Sequence, residues 1–98
     1  MPNQTAVIRR PIYGEGKKVA YTGTAGSVTI TQTANAVLVY CSTAAYVRVG
    51  ATATTSDVPV VANVPLVLPC DGLGGGPITV SAIQDASGGN LFAMPLAD

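Results

Sequence analysis

The chain has no histidine and no tryptophan, and Glu15 is its only glutamate. Without an imidazole, a serine or cysteine nucleophile lacks its usual base, and acid-base chemistry is left to a few aspartates. Asp57, Asp71 and Asp85 fall at expected turns, where aspartate bonds its own backbone. No loop carries the ligand spacing of a calcium site. The sequence therefore reads as a non-enzyme with no cofactor and no metal. Charge is scarce too, at 10% of residues against about 25% in an ordinary soluble domain. A surface so poor in charge is expected to lie partly against neighbouring subunits, where charged residues are depleted. A neutral surface of Thr, Ser, Asn and Gln is the alternative.

Cysteine is limited to Cys41 and Cys70. They admit one intramolecular disulfide, which spacing alone does not establish, and two buried thiols are the simpler reading. The N-terminal Met1 to Arg10 lacks a signal-peptide apolar stretch, and no run reaches the ~18 apolar residues of a membrane span. A soluble protein made in the cytoplasm is expected, so the acceptor pattern Asn3-Gln4-Thr5 is coincidental. Gly72-Leu73-Gly74-Gly75-Gly76 matches no phosphate-binding fingerprint. Pro77 and an expected strand follow it where a helix would be needed, so Cys70 to Gly76 is a plain loop.

What is abundant is Ala, Thr, Val and Gly, 49 of the 98 residues. β-Branched residues and glycine favour strands and turns, so an all-β domain follows. Alternation then places the strands. Val47 and Val49 share one face and Tyr46 and Arg48 the other, as in a half-buried strand. Val28 and Ile30 point inward from Ser27 to Thr33, and Val19 and Tyr21 do so from Lys17 to Thr22. Thr5 to Tyr13 reads as an extended partner of 17–22 across Gly14-Glu15-Gly16, forming a hairpin. Ala36 to Ser42 is apolar on both faces, with Val37, Val39 and Cys41 opposite Leu38 and Tyr40. Such a strand is central or meets a partner on one side.

Ala45 to Val49 follows it as a hairpin or a bulged continuation. Ala51 to Asp57 is a loop with room for one helical turn. Val58 to Val61 and Val64 to Leu68 are short strands about an Ala62-Asn63 turn. Pro59, Pro65 and Pro69 mark these as edge strands, strand starts or strand ends, because proline donates nothing to a ladder. Ile78 to Ile83 and Leu91 to Leu96 close the sheet around a turn at 85–90. Eight or nine short antiparallel strands with turns every eight to twelve residues predict a small β-sandwich, jelly-roll-like in its strand count.

Net charge is zero but segregated. Arg9, Arg10, Lys17 and Lys18 oppose only Glu15 near the N-terminus, whereas Arg48 faces four aspartates afterwards. Residues 1–16 read as an N-terminal arm or first strand that orders on assembly, and 17–98 as one sandwich domain. Four basic residues without an aromatic RNA-binding motif argue against nucleic acid.

Several of these segments together resemble a known family. Tyr46-Val47-Arg48-Val49-Gly50, Ala53 to Val60, Pro65-Leu66-Val67-Leu68-Pro69, Val80 to Gln84 and Gly89-Asn90-Leu91-Phe92 resemble small virion proteins of tailed bacteriophages, above all capsid decoration (cement) proteins. The resemblance spans roughly residues 37–96; the N-terminal third contributes no motif to it. It implies a β-domain, often trimeric, on the capsid exterior, bound to the major capsid protein and bracing the shell. Arg9, Arg10, Lys17 and Lys18 are then the expected shell-docking residues, and Val37, Leu38, Val39 and Tyr40 the expected subunit-packing residues. The alternatives are another virion component (head-fibre base, tail tube or tail tip) and a carbohydrate-binding sandwich. The last is disfavoured by the absence of tryptophan and by only five aromatics, Tyr13, Tyr21, Tyr40, Tyr46 and Phe92.

Overall fold

The computed structural model describes residues 10–31, 36–70 and 77–97. Among the described residues there are nine strands: β1 (Arg10–Pro11), β2 (Lys17–Tyr21), β3 (Gly26–Ile30), β4 (Ala36–Cys41), β5 (Ala45–Val49), β6 (Val58–Val60), β7 (Leu66–Pro69), β8 (Ile78–Gln84) and β9 (Gly89–Ala97). They form two antiparallel sheets. The first runs β1-β9-β4-β7 with β2 also on β9, and the second runs β3-β8-β5-β6.

These orders define a jelly roll: β2-β9-β4-β7 stacks on β3-β8-β5-β6, and successive strands mostly cross from one sheet to the other. β5 and β6 are the consecutive strands that pair, Tyr46 opposite Pro59. Each sheet turns its apolar face inward. Val37, Val39, Cys41 and Leu91 meet Val47, Val80, Ala82 and Ile30 in the core, every one fully buried at 0% exposure. Alternation makes this possible, since each of these positions is followed by an outward-facing one.

Two expectations change in the structure. The expected first strand lies outside the described residues up to Arg9, and among the described residues no hairpin joins the first two strands. β1 and β2 instead lie end to end along the same side of β9, Arg10 opposite Ala97 and Lys17 opposite Ala93. Eight residues, 10–17, thus lie along five of β9, 93–97, by a detour at Tyr13 to Gly16, with Gly14 at φ 83°. Pro95 explains the detour. In a regular ladder its N–H would bond Ile12, which donates to the Pro95 carbonyl at 2.9 Å; the Ile12 carbonyl takes the Glu15 N–H at 3.3 Å instead. Likewise β4 and β5 are no hairpin: the chain leaves the first sheet at Cys41 and enters the second at Ala45.

The prolines behave as edge markers elsewhere. β6, carrying Pro59, and β7, ending at Pro69, are both edge strands, so each edge has lost a donor for strand addition. Between them Asn63 takes a left-handed φ of 62°. Its N–H bonds the Cys41 carbonyl at 2.8 Å and its side chain accepts from Tyr40 Oη at 2.6 Å. β4 is central, as its two apolar faces suggested.

Cys41 and Cys70 are buried and form no disulfide. Ala36 of β4 pairs with Pro69, so Cys70 lies near one end of that strand while Cys41 occupies the other. Five residues of strand, roughly 17 Å, separate those ends, far beyond the Cα reach of a disulfide. Burial pushes the Cys41 thiol above its ordinary pKa, partly offset by the hydroxyl of Tyr21.

Candidate docking face

The two outer faces of the sandwich differ in chemistry. On the β3-β8-β5-β6 sheet the outward positions are mostly polar, Ser27, Thr29, Thr79, Ser81, Tyr46 and Arg48, with Ile83 and Pro59 as the apolar members beside Tyr46. The loop between β5 and β6 folds over part of this face and brings Ala53 onto Ser81. Ser81 Oγ accepts from Ala53 N at 3.0 Å and from Ser27 Oγ at 3.1 Å, and donates to the Gly26 carbonyl at 3.1 Å. One donor and two acceptor positions are thereby filled, which permits its complete burial. Ser81→Ala is expected to leave Ala53 N–H and the Gly26 carbonyl unpaired, at a cost of about 2 kcal/mol. Chemical denaturation of the variant checks this.

The same loop closes on Asp57. Its carboxylate accepts from Thr54 N at 2.6 Å and from Thr54 Oγ1 at 3.1 Å, and pairs with Arg48 Nε at 2.9 Å. The Thr54 backbone bond is the main reason its pKa lies below the ordinary carboxylate range, with Arg48 contributing less. A depressed carboxylate contributes order above its unfolded pKa and loses it as pH falls through the folded value. Protection of the Thr54 amide, taken relative to its intrinsic exchange rate, should fall as pH drops below the usual aspartate range, and Asp57→Asn should remove that change in protection. Hydrogen exchange followed by NMR reads both. Nearby, Tyr46 Oη donates to Asp85 Oδ1 at 3.0 Å, a bond that raises the Tyr46 pKa.

The other sheet presents apolar side chains. Register places Lys18 beside Phe92 and Phe92 beside Tyr40 in one row across β2, β9 and β4. Met94, Leu38 and Val67 form the next row across β9, β4 and β7. Phe92 is 39% exposed and Val67 47%, whereas Ala36 and Leu96 further along this face are buried. Leu38, Tyr40, Phe92 and Met94 line an open basin of about 380 Å³, with Lys17 and Lys18 at its β2 rim. Tyr40 and Phe92 meet edge to face at 5.6 Å, and Lys18 Nζ stands 5.5 Å from the Phe92 ring centre, within cation-π range. Among the described residues the ion pair is Arg48 with Asp57, and Lys17 and Lys18 form none.

The sequence-derived site residues divide accordingly. Lys17 and Lys18 are exposed on an edge strand beside the apolar basin. Arg10 lies on β1 along the same side of β9, and Arg9 lies outside the described residues. Leu38 and Tyr40 face outward into the basin. Val37 and Val39 do not belong with them: both are fully buried between the sheets, because strand alternation sends them to the core. Of the four residues expected to pack against another subunit, Leu38 and Tyr40 are the two on an outer face. Phe92 and Met94 were missed as members of this surface. Their signal was the alternation of Leu91, Ala93 and Pro95 inward with Phe92 and Met94 outward.

Among the described residues there is no group of three or more potential metal ligands and no helix long and apolar enough to cross a membrane. Comparison with known proteins finds no family model, no curated protein and no solved structure that matches this chain.

Proposed function

We propose that this chain is a structural virion protein that decorates and stabilises a bacteriophage capsid shell. It acts through protein-protein contacts, without catalysis or cofactor, from the capsid exterior. The phage assignment rests on the sequence resemblance. The observation that carries the docking role is the contrast between a mostly polar outer face, partly covered by a loop, and an open apolar face rimmed by Lys17 and Lys18. An exposed apolar patch with a polar rim marks association surfaces.

In this reading the apolar face meets the major capsid protein, and copies assemble as a homo-oligomer, a trimer being favoured. A decoration protein stabilises its shell by binding the assembled lattice better than free subunits, so each copy adds its binding free energy. Symmetry multiplies weak contacts across the shell. Co-sedimentation with undecorated heads tests the proposal. Saturation at a fixed number of copies per head supports it. Polymerisation, or association with tails alone, assigns the protein to another virion part. Binding to glycans in place of heads assigns it to carbohydrate recognition.

A further inference from the structure

The basin on the β2-β9-β4-β7 sheet has a geometry that specifies its occupant. Its floor is apolar, made by Leu38 and Tyr40 on β4 and Phe92 and Met94 on β9. Its volume of about 380 Å³ lies at the low end of ligand-sized pockets, so it suits one or two side chains rather than a whole helix. On the β2 side stands the Lys18 ammonium, 5.5 Å from the Phe92 ring centre and without an acidic partner among the described residues; Lys17, opposite the inward Ala93, borders the rim from the other face of β2. Across the face, the β4 and β9 rows flank the basin and β2 lies one strand beyond β9. From the middle of the basin to β2 is therefore one and a half strand spacings, about 7 Å. Two residues of extended chain advance by nearly the same distance and return a side chain to the same face.

We propose that this basin recognises an extended segment of a partner protein in which an apolar side chain is followed, two positions on, by a carboxylate. The apolar group enters between Tyr40, Phe92, Leu38 and Met94, and the carboxylate pairs with Lys18, the lysine whose ammonium stands over this face, with Lys17 adding positive charge at the rim. Charge complementarity selects the partner's acidic segment, and the apolar floor anchors it. The mostly polar outer face of the opposite sheet offers no equivalent, since Arg48, its one cationic side chain among the described residues, is already paired with Asp57. This inference rests on the docking reading of the same face and names the chemistry of the surface it meets.

The test uses the full chain, labelled with ¹⁵N, and three capped tripeptides as probes: Leu-Ser-Asp, Leu-Ser-Asn and Leu-Asp-Ser. The first should shift the amides of Leu38, Phe92 and Met94. The second should bind about tenfold more weakly, as loss of one charge-assisted pair allows. The third, with its carboxylate turned to the opposite side of the strand, should resemble the second. Lys17→Gln/Lys18→Gln should weaken Leu-Ser-Asp to the level of Leu-Ser-Asn and leave the latter unchanged.

Equal binding of all three peptides, no shifts, or shifts confined to Val58, Val61 and Val64 would each overturn the proposal. So would a light-scattering mass showing oligomers that Phe92→Ser dissociates, because a second copy would then occupy the basin. Failure here is separable from failure of the decoration reading. Heads that bind the protein while the peptides do not would sink the segment chemistry alone. Peptides that bind while heads do not would sink decoration alone.

Discussion

Gly26→Ala destabilises the protein by about 3 kcal/mol, the upper part of the usual overpacking range. In a domain of this size that lowers the melting temperature by roughly 15 °C. The cause is the corner where the chain leaves β2 and enters β3. A methyl group at Gly26 would overlap the Ala20 carbonyl oxygen and press on Val19 Cγ2 at 3.3 Å. The carbonyl belongs to a paired strand, Ala20 lying opposite Asn90, so it cannot rotate away as a flexible side chain would. Gly26 itself is held opposite Ala82 in the other sheet and its carbonyl accepts from Ser81. Gly23→Ala is the control. Its added carbon would meet nothing nearer than Gln84 Nε2 at 3.7 Å, an ordinary contact, and the melting temperature should stay within a few degrees of the parent. Parallel thermal melts of the two variants measure the difference.

The second large effect concerns binding. Lys17→Glu/Lys18→Glu should weaken association with undecorated heads by about 30-fold or more, the scale of a hot-spot loss of 2 kcal/mol. The substitution reverses the charge of the rim and opposes an acidic partner directly. Both side chains are exposed on an edge strand, so folding should be little affected. Arg48→Gln on the opposite face should leave head binding within about twofold, although it removes the ion pair to Asp57. Quantitative co-sedimentation of the two variants against the parent reads the contrast. The effect should be largest at low salt, because screening of exposed charges grows with ionic strength.

How much of this was legible beforehand depends on which physical interaction each feature uses. Alternation is local, so the strand at Ala45–Val49 could be read residue for residue, with Val47 inward and Arg48 outward. The proline rule placed Pro59 and Pro69 on edges correctly because a missing donor is a property of one residue. Pairing is another matter. Periodicity says which face a side chain takes and nothing about which strand lies alongside. Hence β1 and β2 were expected to pair with each other and instead both pair with β9. Pro95, inside a central strand, interrupts the ladder there and moves the disruption to its neighbour's loop.

The candidate site was partly visible for the same reason. Leu38 and Tyr40 stood out because Ala36–Cys41 is apolar on both faces. Lys17 and Lys18 stood out by charge. Their convergence on one basin with Phe92 and Met94 requires the jelly-roll order, which brings the second, fourth and ninth strands together from distant parts of the chain. Ser81 was unreadable as a buried polar hub because its partners, Gly26, Ser27 and Ala53, come from two other segments.

Electron cryomicroscopy of decorated heads, at a resolution that separates the two sheets, tests the central claim most directly. The account predicts that the β2-β9-β4-β7 sheet faces the shell, with Phe92 and Tyr40 within about 4.5 Å of major capsid protein atoms. Density placing the loop between β5 and β6 against the shell, with Phe92 and Tyr40 open to solvent, would contradict it.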